Sequence, residues 1–521
     1  MRWAIRMALV CVLLASGCGA PPPAEEAEKA EPAEKPEAPP PSMATAFEQP
    51  RGLVRNEAGA SPGYVMFAPF NSALLYLVDL EGRVVHTWTN DKAGDAVYLQ
   101  DDGSLFRLAR IAEPPNFRAG GVAGYIQKLS WEGEVLWEWR MADEKRILHH
   151  DIRPLPNGNI LALAWELKPA EDAKAAGRRP ELVPDQGIWL DWILEVEPRP
   201  PNDARIVWEW HLWDHLVQGR DREAPGYGIP AEHPGRFDIN GDREAPVVDE
   251  KELEELKALG YVPENATPED IRSDFVHVNA IDYHPRLDQI LVSGRTIGEI
   301  WILDHSTTTE EARGSTGGRY GRGGDILYRW GNPRVYGRGT AADQQLFGQH
   351  HALWLRDGSP NAGNVTVFNN GGKRSDGDWS SVVEIVPPID QKGSYTLAEG
   401  GPFGPAAPVW TYAAPDKHSF FASSVSGAHR LAGGNTFICS CPQGRFIEVT
   451  PAGDIVWEYR GPFHGELKIW QPQNAAKLPY GSFRAIKIPS DHPALAGRKL
   501  VPLDPQPKGY VPEQQPVKSG S

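Results

Sequence analysis

The chain has 521 residues and a formal net charge of −16, and its 53 Gly and 48 Pro make up about a fifth of it. So many breakers exclude a helical protein, and an acidic surface that repels phosphate backbones argues against a nucleic-acid partner. Four cysteines, two of them within the first twenty residues, exclude a disulfide scaffold.

The N-terminus reads as a processing signal. Arg2 and Arg6 supply positive charge, residues 7–15 are apolar but too few to span a bilayer, and Ala15-Ser16-Gly17-Cys18 follows. Residues 1–17 are expected to be a signal peptide. Residues 14–18 resemble a bacterial lipobox with Ala15 in place of its leucine, so Cys18 is expected to carry lipid. Residues 18–46, rich in Pro, Ala, Glu and Lys, cannot bury a core and form a disordered tether. The mature protein is then exported and lipid-anchored in the bacterial envelope, on the periplasmic face of the outer membrane or at the cell surface.

From residue 47 to 500 the chain repeats itself. One unit runs Asp151-Ile-Arg-Pro-Leu-Pro-Asn-Gly-Asn-Ile-Leu-Ala-Leu, then Trp192-Ile-Leu-Glu-Val-Glu, then Arg205-Ile-Val-Trp-Glu-Trp210. That is a strand, a turn at Asn157-Gly158 and three more short strands. The pattern returns at Gly427, with its turn at Gly433-Gly434-Asn435, and more weakly near Asp95, Asn279 and His351. Terminal strands recur as Val84-Val-His-Thr-Trp88, Val135-Leu-Trp-Glu-Trp139, Arg205-Ile-Val-Trp-Glu-Trp210, Ile326-Leu-Tyr-Arg-Trp330, Val409-Trp-Thr-Tyr412 and Asp454-Ile-Val-Trp-Glu-Tyr459, which makes six units. Alternating apolar and polar residues suit half-buried antiparallel strands. The first unit, from Gly63, lacks an opening strand, while residues 483–488 are left over after the sixth. An all-β, six-bladed β-propeller whose C-terminal strand closes the first blade explains both. Residues 501–521 are left as a tail.

Two insertions interrupt the repeat. In residues 213–275, Leu253, Leu256 and Leu259 share one face of a predicted helix over 250–259, with Asp249 as N-cap and Gly260 as stop. Thr267-Pro268-Glu269-Asp270 begins a second helix. Residues 332–349 form the other insertion. Both join a fourth strand to the next first strand.

In a propeller blade the first strand runs down the central channel from one face and the second returns to it, so their ends meet around one rim. Polar groups fall there in four units: His149, His150 and Asp151; His277 and Asn279, with Arg295 at the end of the next strand; His350 and His351; and Ser426. The insertions would cover this rim as a lid. A lone histidine at a strand start is ordinarily a hydrogen-bonded loop residue, but five converging on one channel point to a site. Other motifs carry less. The glycine-rich stretch 314–324 lacks a Gly-Lys-Ser/Thr ending and reads as a flexible loop on the opposite face. Asp238-Ile-Asn-Gly-Asp242 is a weak calcium candidate. Cys439 and Cys441, on one face of a strand near the rim, are buried thiols, a strained disulfide or a redox pair.

These residues resemble the bacterial aryl-sulfate sulfotransferases that use no nucleotide sulfate donor. The matching words are His149-His150-Asp151, Asp274-Phe-Val-His277-Val-Asn279, Glu299-Ile-Trp-Ile-Leu-Asp-His305-Ser, Gly348-Gln-His350-His351-Ala and Phe483-Arg-Ala, spread over residues 63 to 489. The resemblance implies transfer of a sulfuryl group from a phenolic sulfate donor to a phenol acceptor through a sulfated histidine, with no metal or organic cofactor. It implies His350 as nucleophile, His277, Asn279 and Arg295 as site residues, and one of His149 and His150. His150 is preferred because its place in the repeat equals that of His350. His351 stands where many members have Asp or Asn, the additional N-terminal domain of some members is absent, and Ser426 is the candidate for the hydroxyl from unit six.

A sulfate ester is a delocalised anion that a neutral imidazole can approach where a carboxylate is repelled. Arg295 and Asn279 suit the sulfuryl oxygens, and His277 or His150 suits proton transfer with the phenol. Two rival readings are a metal-binding propeller enzyme, against which Arg295 argues, and a non-catalytic ligand-binding propeller of the envelope.

Overall fold

The computed structural model describes residues 49–245, 247–467, 469 and 480–511. The expected signal peptide, Cys18 and tether lie outside the described residues. Six antiparallel sheets, one per blade, make the propeller. Blade one is closed as expected: Ser482–Pro489 is its innermost strand and pairs with Gly63–Pro69 from Gly63 opposite Pro489 to Pro69 opposite Ser482. Leu74–Val78 and Val84–Thr89 complete it. Blade two runs from Gly94–Leu99 to Val135–Arg140, blade three from Arg146–Pro154 to Asp203–His211, and blade four from Val278–His284 to Tyr328–Trp330. Blade five runs from His350–Trp354 to Trp410–Tyr412, and blade six from Gly427–Arg430 to Ile455–Arg460. Blade six has a fifth, outermost strand, Gly52–Asn56, which pairs Leu53 with Tyr459 and Arg55 with Glu458.

The repeated tryptophans have a mechanical role. The indole N–H of Trp137 donates to Asp203 O, Trp210 to Gly324 O, Trp330 to Pro405 O, Trp410 to Pro451 O and Trp457 to Leu80 O, each bond 2.8–2.9 Å and each reaching the next blade. From blade one, His86 Nε2 does the same with Trp131 O at 2.9 Å. One ring per outer strand thus buries apolar area and staples neighbours through a bond of about 1 kcal/mol.

The first insertion folds as a small parallel strand pair, Leu216–Val217 with Phe237–Asp238, followed by helices Glu250–Ala258 and Pro268–Ser273. Asp249 caps the first by accepting from Glu252 N–H, and Thr267 and Asp270 form a capping box on the second. Leu253, Leu256 and Leu259 are buried in a core shared with blades one, two, three and six. Gly260, at φ +68°, ends the turn; a side chain there is strained, and its Cβ, 2.4 Å from Asn71 Nδ2, would displace that amide. Its carbonyl accepts from the buried Arg110 Nη1 at 2.7 Å, which ties the lid to blade two.

Two expectations are corrected. The stretch 314–324 is not an open flexible loop: Gly323 N–H donates to Gly317 O and Gly324 N–H to Gly314 O, folding it into a bonded turn at the foot of blade four. The segment after residue 500 is not wholly a free tail, since Leu503 N–H donates to Val84 O and Gln506 bonds both the N–H and the carbonyl of Val84.

Candidate active site

At the rim the innermost strands begin irregularly. Pairing slips between Ala162 and Ala164 opposite the start of blade three, between Val278 and Ile281 in blade four, and between His350 and Leu353 in blade five. His150, His277, His351 and Ser426 adopt left-handed backbone angles, φ 51°, 53°, 54° and 84°. Residues with a Cβ pay for this conformation, and bulges and strained angles of this kind gather where side chains are re-aimed at a site. Gly121 makes room: a Cβ on it would fall 2.2 Å from the His150 ring.

The hydrogen bonds assign the tautomers. His350 Nδ1 faces two acceptors, Asn370 Oδ1 at 2.7 Å and Gly348 O at 3.1 Å, so Nδ1 carries the proton and Nε2 keeps its lone pair. Asn370 is itself oriented by donating to Ala422 O (2.8 Å) and Val425 O (3.2 Å). His277 Nδ1 donates to Asp274 Oδ2 at 2.5 Å, and the His277 backbone N–H donates to Oδ1. The His150 ring stands 4.4 Å from that of His277 and shares a 2.9 Å Nδ1 to Nδ1 bond with His149, whose Nε2 lies 3.2 Å from Asp191 Oδ1.

Burial decides the protonation of this group. It pushes His149 down to about 3, and His150, His350 and His351 well below the ordinary imidazole range. Behind burial, the Arg295 cation depresses His350 further, and the neighbouring His277 and His149 depress His150. Burial raises Asp191 well above the usual carboxylate range, and Asp274 adds to the rise.

Above the histidines lies a cavity of about 310 Å³, bounded by His277, Asp274, Arg295, Asn370, Phe347 and Phe421, with Glu252 from the first insertion closing it from the lid side. Its size is at the lower end for pockets that enclose a small organic ligand. The Arg295 backbone N–H donates to His277 O at 3.0 Å, which fixes where the guanidinium leaves the strand. Arginine beside neutral imidazoles provides for an anion and a nucleophile together.

The arylsulfotransferase (ASST) family profile matches residues 61–456, about three quarters of the chain. The chain belongs to the arylsulfotransferase family. No curated protein matches it. Among solved structures it is similar to a protein of unknown function from Bacteroides caccae, at 11% identity, covering 82% of this chain and 99% of that one with a TM-score of 0.40. It is also similar to a catalytically inactive virginiamycin B lyase from Staphylococcus aureus (10% identity, 78% and 86% covered, TM-score 0.34) and to AztD from Citrobacter koseri (8%, 82% and 99%, 0.33). Likeness this remote adds nothing to the reading of the site.

Of the residues expected in this arylsulfotransferase site, His277 and Arg295 line the cavity directly. His350 is 1% exposed and lies behind Gly348 and Asn370, which do line it; His150 lies behind His277. Asn279 donates Nδ2 to the carbonyl of Gln349 at 2.7 Å, so it positions the chain just before His350. The hydroxyl of Ser426 donates to Ser424 O and accepts from Cys441 N–H, both at 3.1 Å, and is not turned to the cavity; Ser423 lines it. His351 packs against Gly427 deeper in the channel. Asn370 and Asp274, which bond His350 and His277 and line the cavity, are residues that the sequence reading left without a role.

The remaining motifs resolve plainly. Cys439 and Cys441 are free and buried, with Cys439 Sγ donating to Gly427 O at 3.4 Å. In the calcium candidate, both Asp242 oxygens are bound by Arg178, at 2.9 and 2.7 Å, and Asn240 Oδ1 accepts from Arg179 N–H, so the loop serves as an anchor for arginine. Among the described residues no three His, Cys, Asp or Glu side chains are grouped to hold a metal ion.

Proposed function

We propose that the protein transfers a sulfuryl group from a phenolic sulfate ester to a phenol in two steps through a sulfated His350. The observation that carries this reading is the His350 tautomer: Asn370 and Gly348 hold its proton on Nδ1, which leaves Nε2 with the uncharged lone pair that a nucleophile needs. In the first step the Nε2–S bond forms as the bond from sulfur to the phenolate oxygen breaks, and the phenol leaves. In the second the acceptor phenol oxygen attacks the same sulfur, the N–S bond breaks, and His350 is restored.

Arg295 pairs with the sulfuryl oxygens, whose charge is redistributed in the transition state. His277 is the proton carrier best supported by its setting. It lines the cavity, and Asp274 accepts from its Nδ1–H and fixes the ring, as in a His–Asp pair of a hydrolase. After giving its proton, His277 takes one from the acceptor. His149 and Asp191 position His150, which packs on His277. Phe347 and Phe421 offer faces for the aryl rings.

We further infer that Cys18 is acylated and holds the enzyme in the bacterial envelope. Fatty-acid labelling that survives in a Cys18→Ala variant would refute the anchor. For the reaction, the protein is incubated with an aryl sulfate without acceptor and its intact mass taken. The expected gain is one sulfuryl group per chain, absent in His350→Asn; no phenol release across varied donors and acceptors contradicts the reading.

A further inference from the structure

Glu252, in the first turn of the lid helix, reaches two cations that come from different blades. Its Oε1 accepts from Arg295 Nη2 at 3.3 Å and its Oε2 from Lys373 Nζ at 3.1 Å, and all three side chains border the cavity that His277 borders. Two cations that bracket the two oxygens of one carboxylate are spaced to bracket two oxygens of a sulfate monoester, which carries the same charge on similarly spaced oxygens.

Lys373 is built to stay in place. Its backbone is left-handed, φ 62°, a conformation uncommon for a residue with a Cβ, and its N–H donates to Asp378 Oδ1 at 2.6 Å. Its Nζ also donates to Val247 O at 2.9 Å, a bond independent of Glu252. The lid helix is equally fixed, by the buried Leu253, Leu256 and Leu259 and by the cap at Asp249. The Glu252 side chain is held differently: the bonds of its carboxylate are to these two cations, so an anion that takes both of them releases it.

We propose that Arg295 and Lys373 together form the cradle for the donor's sulfate group, and that the Glu252 carboxylate occupies this cradle in the substrate-free protein and is displaced by the donor. The identity of the anion rests on the sulfuryl-transfer reading above; the cradle itself does not. A resident carboxylate competes equally with bound donor and with the transition state, so removing it acts on KM much more than on kcat. It sets a threshold that only a well-fitting anion passes.

The test titrates inorganic sulfate into the full-length protein by calorimetry and measures aryl-sulfate turnover in parallel, with Glu252→Gln, Lys373→Met and, as a control for the general field of the lid, Glu255→Gln. Glu255 borders the same cavity one turn along the helix. Glu252→Gln is expected to bind sulfate about tenfold more tightly and to lower the donor KM by a similar factor, while Lys373→Met weakens both about tenfold and Glu255→Gln changes either by less than about twofold. Unchanged sulfate affinity in Glu252→Gln, an equal gain in Glu255→Gln, or no loss in Lys373→Met overturns the proposal. If no aryl sulfate is turned over, the reaction assignment falls, while the sulfate titration still decides the cradle.

Discussion

The rim and the foot of this propeller hold the same side chain in opposite states. At the rim, His149, His150, His350 and His351 are buried and stay neutral far below the ordinary imidazole pKa. At the foot, between blades three and four, His305 bonds Asp288 Oδ1 at 2.7 Å and Glu195 Oε2 at 3.0 Å. Burial opposes its charge there, but the two carboxylates outweigh burial and raise it to about 9. Carboxylates flanking an imidazole make a structural cation; their replacement at His350 by an amide and a backbone carbonyl leaves an uncharged nucleophile. Both rings are buried, and the two carboxylate partners of His305 are what separates the two uses.

The largest effect expected from breaking this contrast is at His350 itself. His350→Asn removes the attacking nitrogen and is expected to lower kcat/KM for aryl-sulfate transfer by at least about a thousandfold in steady-state assays, with the residual rate coming from Arg295 and the pocket. Next comes Asn370→Asp, which puts a carboxylate on His350 Nδ1 and imports the foot's chemistry into the rim. We expect kcat to fall about tenfold to a hundredfold and an acid limb to enter the pH–rate profile, because His350 now takes up a proton.

Stability against pH separates the regions on a smaller scale. The folded-state pKa of His305 is raised, so its clamp contributes fully below pH 6.5, the unfolded value, and is lost as pH rises through about 9, a contribution on the order of 3 kcal/mol. The rim histidines have lowered values, so the folded state loses ground as pH falls below 6.5, where the unfolded chain binds protons that the rim does not. Urea melts are expected to give maximal stability near neutrality, and His305→Gln should flatten the alkaline limb while leaving the acid limb. The smallest effect is a deliberate near-null. In the wild-type protein the rate of sulfuryl-adduct formation should not fall from pH 7 to 5.5, where an ordinary imidazole loses about tenfold in its neutral form.

The fold and part of the rim site are legible in the sequence, while the His305 clamp is not, and the omissions have physical causes. The blade count and the closure by residues 482–489 follow from strands that alternate and from a segment left without a partner, since a propeller leaves neither edge open. Gly52–Asn56 was missed because a fifth, outer strand packs little: Val54, Arg55 and Asn56 are exposed, and no alternation marks it. The rim histidines were found because they recur at strand starts. Asn370 was within reach by the rule that picked out Arg295, since each directly follows a second strand, Val365–Asn369 and Gln289–Gly294. An asparagine announces no chemistry until a partner is seen, and its partner is twenty residues away. Asp274 stood three residues before His277 in a quoted motif, yet only the left-handed turn at His277 brings its carboxylate onto Nδ1.

The central claim is that the amide-held histidine is the group that carries the sulfuryl. Rapid quenching of the wild-type protein with an aryl sulfate, followed by peptide mass spectrometry under alkaline conditions that preserve a sulfonated imidazole, tests it most directly. The account predicts one sulfuryl group, mapped to the peptide containing His350 and removed on adding a phenol acceptor. Phenol release and acceptor sulfation with no protein adduct, or an adduct on His277 or His150 with His350 unmodified, would contradict it.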